Sequence, residues 1–550
     1  MDDYDIDPID IQSPIAIAHY WPQAVRGHIM RILRTYFGNS IDQNRERKKL
    51  SPREPSVPAI HCMEVKRSEV FSLPLLDLDE STVEGNAAIL EEVVEKHLGV
   101  DLEALIGRSV PVAGDQMTTS RQRTAKWLRV RDLPKHQLKW VLPFNGFLHI
   151  AFAMCDGVKR AHFGRADGRD QTSLSHFSQL LGRTKVHGTN ANFNASHRFL
   201  MCVLDAHVIA AAMAVARVEN EGDFKEWLKS NDYVQLVDNL VACFLEMTIV
   251  ESWRSDARRK AEAIASRKES EPLSTEKQRK AEYSKIVDKE SKKRRDVVLE
   301  NAVLFLQHSL MYLDFWTAMR AGDSGRLEMA MDMMTVFFQG VDKCNYAREM
   351  LEQKIDRLVV WTPQMRKVWL NNCLVNLSGA PNKFLGLDEL MELCIQMIKV
   401  HYSEGGNWKL KDFKTEVISI CLILFRDMAR GVYRASGAPI LGTRHSRVQQ
   451  AKDVQILVRE LVDEGAFYFS EGHCTGGSSN NPVTVRESID AMTVGRDKLA
   501  WGGPIAEVVN HRLGRDETVG EETVGGESLD ENMDWGTLDW MDSADPEADI

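Results

Sequence analysis

The stretch Ser109–Gln116 (SVPVAGDQ) decides how the first half of this chain folds. Its short apolar run, Val110–Gly114, predicts a strand, and the residues after it predict a helix. A carboxylate at the tip of a strand is held in place by the sheet, as are the acids of metal-dependent phosphotransfer sites. Asp115 is therefore a candidate catalytic residue. The alternative is that Asp115 simply caps the helix that follows it.

Predicted helices and strands alternate on both sides of this stretch. One helix is expected before it, capped by a residue of Ser81–Thr82, and one after it, capped by a residue of Thr118–Thr119. An extended run at Leu138–Pro143 comes next, and a further helix follows that run. Strands separated by helices predict an α/β unit over residues 61–165.

The rest of the chain divides by composition. Residues 1–60 carry one helical stripe, from Ala24 to Phe37, and are otherwise expected to form a divergent or truncated N-terminal segment. The remaining predicted segments are a helical insertion (166–370), a charged disordered stretch or solvated helix within it (254–296), the C-terminal part of the core (371–465) and a disordered acidic tail (466–550).

Net charge is unevenly distributed along the chain. The formal charge is −11, and residues 511–550 alone carry 13 acids and two arginines, which is also −11. The body is therefore neutral overall, and it could carry a basic face for DNA. In the tail, Trp535 and Trp540 lie among acids, a pattern found in segments that dock on protein partners. The alternative is an inert tail.

Composition excludes several classes of protein. With 43% hydrophobic and 27% charged residues among 550, the chain resembles an ordinary intracellular globular protein, and no apolar run is long enough to span a membrane. Nine scattered cysteines without a CxxC pair argue against zinc sites and disulfides. The clusters Lys277–Lys280 and Lys292–Arg295 resemble a bipartite nuclear-import signal, and the alternative is a charged linker.

Several short motifs follow one another along the chain. They are Leu78–Asn86 (LDESTVEGN), Ala113–Thr118 (AGDQMT), Trp140–Pro143 (WVLP), Gly146–His149 (GFLH), Asn372–Asn376 (NCLVN) with Gly379, and Leu387–Glu392 (LDELME). Taken in this order, they resemble an uncharacterised fungal family, domain of unknown function 6589, found mostly in basidiomycete (mushroom-forming) species. The similarity runs from about Ile60 to about Val462. Relatives usually carry an Asp-Asn block upstream of the first motif, which this chain lacks.

The resemblance implies a transposon-derived protein, by analogy with transposases of the ribonuclease H type. In that design an Asp-Asp-Glu set holds two Mg²⁺ or Mn²⁺ ions. Asp115 fits the second acid and Glu392 the third, so these two are the predicted metal ligands. Asp79 or Glu80 is a candidate for a further carboxylate, and the acid of the first strand remains unassigned.

Basic residues cluster on the predicted helix after Asp115. Cations beside an acidic centre can follow a phosphate backbone, and the alternative is a solvated basic helix. His149 could also face the cleft, although a lone histidine on an apolar segment is more often packed in a core. The predicted nucleic-acid contacts are Arg121, Arg123, Lys126, Arg129 and Arg131.

The predicted fold class is therefore α/β and helix-rich. It comprises a ribonuclease H-like core interrupted by a large helical insertion, with disordered N- and C-terminal tails. If active, the chain is expected to be a metal-dependent nuclease or transposase of the Asp-Asp-Glu type. The missing Asp-Asn block favours the alternative, a non-catalytic binding or scaffold protein that kept the fold and lost the metal site.

Overall fold

A computed structural model shows a helix-rich chain with few and small sheets, as the helix-rich part of the prediction expected. The residues that the structure describes are 15–48, 56–186, 192–267, 276–402, 417–422, 447–476 and 483–499, with isolated positions at 424, 428, 435 and 508.

The helices include several that exceed 20 residues. With their bounds they are α1 (Ile15–Lys48), α2 (Val83–Glu92), α3 (Gln116–Leu128), α4 (Phe147–His162), α5 (Leu174–Leu180), α6 (Phe193–Ala216), α7 (Glu221–Ser230), α8 (Tyr233–Phe244), α9 (Ile249–Ala265), α10 (Glu276–Lys292), α11 (Val297–Ala321), α12 (Ser324–Gly340), α13 (Cys344–Ile355), α14 (Pro363–Asn372), α15 (Leu387–Tyr402), α16 (Arg447–Asp463) and α17 (Ala491–Lys498).

The strands pair two by two. β1 and β2 are parallel, whereas the other two pairs are antiparallel. Within the described residues these strands form three separate two-stranded sheets, so the predicted ribonuclease H-like core is not confirmed. The strands are β1 (Val110–Gly114), β2 (Val141–Asn145), β3 (Leu374–Asn376), β4 (Phe384–Gly386), β5 (Thr475–Gly476) and β6 (Val483–Thr484).

Helix α11 forms the centre of the molecule. Nearly all its side chains are buried, since the sequence is apolar on all sides of the helix. Asp296 caps its first turn, and Gly322 ends it in the left-handed conformation that favours glycine. Helices α1, α4, α6 and α12 pack around it. The segment predicted as an insertion therefore supplies the main core.

Helix α1 corrects the expectation of a disordered N-terminal tail for residues 15–48. It continues well beyond the predicted stripe, and a buried polar network attaches it to α11 and α12. The Tyr20 hydroxyl lies 2.8 and 2.9 Å from the two Asp314 carboxylate oxygens, and His28 Nε2 lies 2.9 Å from Oδ1. Arg326 pairs with the same carboxylate and donates to Tyr20. Burial lowers the pKa of His28 to about 4.

Replacing Asp314 by alanine tests this network. We expect the free energy of unfolding to fall by about 3–5 kcal/mol, because Arg326 would remain buried without its counter-charge. Urea unfolding measures the change. The matched control is Asp238→Ala, which removes the ion-pair partner of Arg26, another residue of α1. The side chains of that pair are about half exposed, so we expect the free energy of unfolding to fall by only about 0–1 kcal/mol. Equal losses in the two variants would contradict the anchoring role.

The charged segment 254–296 was expected to be disordered or a solvated helix. The structure has α9 and α10 packed against each other, with residues 268–275 outside the described part. Ala261, Ala265 and Val287 form a small apolar seam between them, and ion pairs such as Asp256–Lys260 support the exposed faces. In the second basic cluster, Lys292–Arg295, the Arg295 side chain forms ion pairs with Glu300 and Glu487.

Structure continues past the point where the acidic tail was expected to begin. Helix α17 packs along α12, and Ala491 and Met492 are buried. The two helices cross closely because Gly340 and Gly495 have no side chains; a Cβ on either glycine would collide with the facing backbone. The prediction of a disordered segment from 466 is wrong for these residues. Residues 509–550 lie outside the described part.

The substitution Gly340→Ala tests this crossing. The added methyl group has no room, so we expect a loss of about 1–3 kcal/mol in the free energy of unfolding. Chemical denaturation measures it. Gly38→Ala is the control, since a Cβ there approaches only Arg34 Cγ, at 4.0 Å. Its effect should stay within about 1 kcal/mol. A neutral Gly340→Ala variant would show that α17 does not dock as described.

By length and composition alone, α6 could span a membrane, but 78% of its most apolar window is buried within the protein. Buried core helices of soluble proteins share these features.

Candidate functional site

The site is built on the β1–α3–β2 unit. Gly114 pairs with Asn145 at the ends of the two parallel strands, so the residues after each strand emerge at the same edge. Asp115 follows β1 and caps α3, with its Oδ1 accepting a hydrogen bond from the Thr118 amide at 2.6 Å. The capping alternative is thus correct for Asp115, and the predicted caps at 118 and 119 are wrong. Gly146 follows β2 and begins α4.

Helix α15 brings a second carboxylate to this edge. Asp388 Oδ2 accepts a hydrogen bond from the His149 amide at 3.0 Å and lies 3.0 Å from His149 Nδ1. This carboxylate caps α4 from another part of the chain. Gly146 leaves the room for it, because a Cβ there would collide with the Asp388 side chain. Asp388 Oδ1 is buried and has no hydrogen-bond partner among the described residues.

Three carboxylates act on the His149 imidazole. Burial lowers its pKa, but the hydrogen bond to Asp388 and the negative charges of Asp388, Asp115 and Glu392 outweigh burial, so the pKa lies above its usual value. Tyr346 is influenced by the same cluster, since burial and the charges of Asp115 and Asp388 raise its pKa. Asp115 and Glu392, both predicted from sequence, therefore lie near one imidazole.

The other two predicted acids lie at the start of α2. Asp79 is exposed and accepts a hydrogen bond from the Ser81 amide at 2.9 Å. The pKa of its carboxyl is lowered by hydrogen bonding to the Ser81 side chain and, to a smaller extent, to this amide. The Glu80 carbonyl oxygen accepts hydrogen bonds from Asn86 at 2.6 Å and from Arg121 at 3.1 Å. These contacts arrange the cap of α2, while the further carboxylate beside His149 is Asp388.

Sequence reasoning missed the role of Asp388. The signal was present, because Asp388 and Glu392 are four residues apart and share one face of α15. Together with Asp115, that spacing would have identified all three carboxylates.

A buried polar network supports the cleft from behind. Thr119 Oγ1 lies 2.7 Å from Asn145 Oδ1 and 3.2 Å from Glu349 Oε2. Arg123 pairs with Glu349 and lies 3.5 Å from Asp356. Burial raises the pKa of Glu349, against the opposing effect of Arg123. The network thus connects α3, β2 and α13 directly beneath the residues that follow β1.

Most of the predicted nucleic-acid contacts have partners within the protein. Arg121 donates to the Glu80 carbonyl, Arg123 is buried in its ion pairs, and Lys126 donates to a carbonyl of β2. Arg129 pairs with Glu91 at 2.6 Å, whereas Arg131 is exposed. These cations brace α3 against its surroundings, and their contact with DNA stays a prediction.

Oxygen-rich donors of this kind suit Mg²⁺ or Mn²⁺. Within the described ranges, however, no group of three or more His, Cys, Asp or Glu side chains is arranged to hold a metal ion. The donor chemistry fits a divalent cation, whereas the positions of the side chains do not form a complete site. The predicted metal ligation by Asp115 and Glu392 stays a prediction.

A comparison with protein families identifies the chain. The model of the family of unknown function DUF6589 matches residues 3–445. The chain belongs to this family. The match begins far upstream of Ile60, so the segment before Ile60 lies within the family's extent. Among the curated proteins and the solved structures, no match was found.

The His149 titration tests whether the three carboxylates converge. We expect Asp388→Asn to lower the pKa of His149 most, Asp115→Asn less and Glu392→Gln least, because each change removes one negative charge and the first also alters a hydrogen bond. Nuclear magnetic resonance of the imidazole measures these shifts. Asp79→Asn is the control and should leave the pKa unchanged. If Asp115→Asn and Glu392→Gln behave like that control, the carboxylates do not act on one imidazole.

Proposed function

We propose that this chain is a transposon-derived, nucleic-acid-processing protein, and that the residues at the carboxyl ends of β1 and β2 support divalent-cation-dependent cleavage of phosphodiester bonds. The observation that carries the proposal is the contact of Asp388 with His149, whose pKa is also raised by the negative charges of Asp115 and Glu392. Ligands in open α/β units bind at the carboxyl ends of parallel strands, which is where this cluster lies.

The side chains divide into two roles under this proposal. Asp115 and Glu392 offer carboxylate oxygens, and a bound divalent cation would supply charge neutralisation at the phosphate. Asp388 is a positioning residue, since it fixes both the first turn of α4 and the orientation of the His149 ring. With Nδ1 held in this way, His149 acts beside the carboxylates as a general acid or base.

Nicking of supercoiled plasmid DNA by the full chain tests this function. We expect nicking with Mn²⁺ or Mg²⁺, abolished by EDTA and reduced by about 100-fold or more in Asp115→Asn and Glu392→Gln. Asp79→Asn is the matched control and should retain wild-type activity, because it changes a carboxylate outside the cluster. The proposal would be falsified by equal nicking in all variants, or by the absence of nicking with both Mn²⁺ and Mg²⁺.

A second function is favoured by other observations on the same residues. Asp115 and Asp388 both serve as helix caps, and the described side chains do not form a complete metal site. These features support a non-catalytic binding or scaffold protein that kept the fold. Calorimetry with Mn²⁺ separates the two functions: the scaffold predicts no uptake at millimolar concentrations, whereas the enzyme predicts uptake that Asp115→Asn weakens.

A further inference from the structure

Residues 83–141 form a small lobe with its own core beside the main one. Ala87, Leu90, Leu102, Ala125 and Trp140 belong to this separate cluster of buried side chains. The lobe rests on α3, whose first turn carries Asp115 and whose last residue is Leu128. The surface discussed below therefore lies about 20 Å along α3 from the acidic cleft, at 1.5 Å per residue.

One end of this lobe exposes large aliphatic side chains, which we call the aliphatic patch. Ile106, Leu128, Val130 and Leu133 are 56%, 54%, 57% and 66% exposed. Single exposed apolar residues need no explanation, but a group of them on one surface marks an interaction site.

The patch is held together by the turns that carry it. The 3₁₀ turn 102–105, which precedes Ile106, contacts the turn 134–136, which follows Leu133. Gln137 Nε2 donates to the carbonyl of Val130 at 3.2 Å and to that of Asp132 at 2.7 Å. The surface is therefore preformed and does not have to be ordered when a partner binds.

Exposed cations lie on the segments of the lobe that carry the patch. Arg108, Arg131 and Lys139 are exposed, and no ion pair is seen for them among the described residues; the exposed acids on these segments are Asp101, Glu103 and Asp132. An aliphatic surface with such cations beside it fits a partner that combines large apolar side chains with carboxylates.

The tail of this chain has that composition. Within residues 531–542 (ENMDWGTLDWMD), Met533, Trp535, Leu538 and Trp540 are interspersed with four acids. Tryptophan is the residue type that most often dominates binding energy at interfaces. The 36 residues that follow Leu499, up to Trp535, can span up to about 120 Å when extended, so reach does not limit contact with the lobe.

We propose that residues 531–542 dock on the aliphatic patch of the same chain, with their acids facing Arg108, Arg131 and Lys139. The basic α9–α10 helix pair is a less suitable binding surface for residues 531–542. Its aliphatic Val287 is buried inside the pair, and cations such as Lys260 already have acidic partners on the same helix. That pair offers charge without an apolar surface.

Site-specific photo-cross-linking in the full chain tests the docking. Leu538 is replaced by benzoylphenylalanine, the protein is irradiated at low micromolar concentration, and the cross-linked peptides are identified by mass spectrometry. We expect intramolecular cross-links to residues 106–139. Their yield should fall by about tenfold in the triple variant Leu128→Ser, Val130→Ser, Leu133→Ser, and it should also fall in 1 M salt, where charge attraction is screened.

Two exposed apolar residues outside the lobe provide the matched control. Ile456→Ser with Phe469→Ser removes side chains that are 41% and 67% exposed and should leave the cross-linking yield unchanged. Cross-linked dimers would mean that a second copy is the partner, and cross-links to α9–α10 would mean that charge alone directs the tail. Either result overturns the proposal, as does an equal yield in all variants. The positions mapped in the wild-type chain decide the matter even if the triple variant misfolds.

Discussion

The contact between the Asp388 carboxylate and the first turn of α4 holds the candidate site together. It joins residues 239 positions apart in sequence, because Asp388 begins α15 and His149 lies just after β2. One carboxylate satisfies an amide at a helix N-terminus, where negative charge is favoured, and also orients an imidazole. It packs directly over Gly146, so the local backbone and the remote helix fit only together. The position of Glu392, one turn further along α15, follows from this contact.

The main core, which supports the candidate site, contains a buried charged carboxylate that is costly to remove from water. Helix α11 is apolar on all sides, yet it places Asp314 among Tyr20, His28 and Arg326. A buried carboxylate is tolerated only when an opposite charge and hydrogen bonds compensate its lost hydration. The compensation comes from helices α1 and α12 on either side of α11. The N-terminal helix is therefore part of the core and does not merely precede it.

Patterns that act over a few residues were predicted well from sequence. The apolar run ending in Gly-Asp located β1 and Asp115, and the Thr82 cap located α2. Glu392 was chosen by analogy with the third acid of ribonuclease H-type transposases, and its metal ligation stays a prediction. The sequence analysis did not single out Asp388 despite its spacing from Glu392, because the contact with its partner His149 forms only in the folded chain. The α1 network was missed for the same reason, since Asp314 and Tyr20 are 294 positions apart.

The close crossing of α12 and α17 bears on where the independently folding unit ends. The family match stops at residue 445, but the groove on α12 that Gly340 keeps open is filled by residues 491–498. A boundary drawn at the end of the family match would uncover that groove and leave Val336 and its neighbours facing water. The segment that the family match covers is therefore not the same as the segment that would keep its fold if it were expressed alone. Any dissection of this chain has to keep its last described helix.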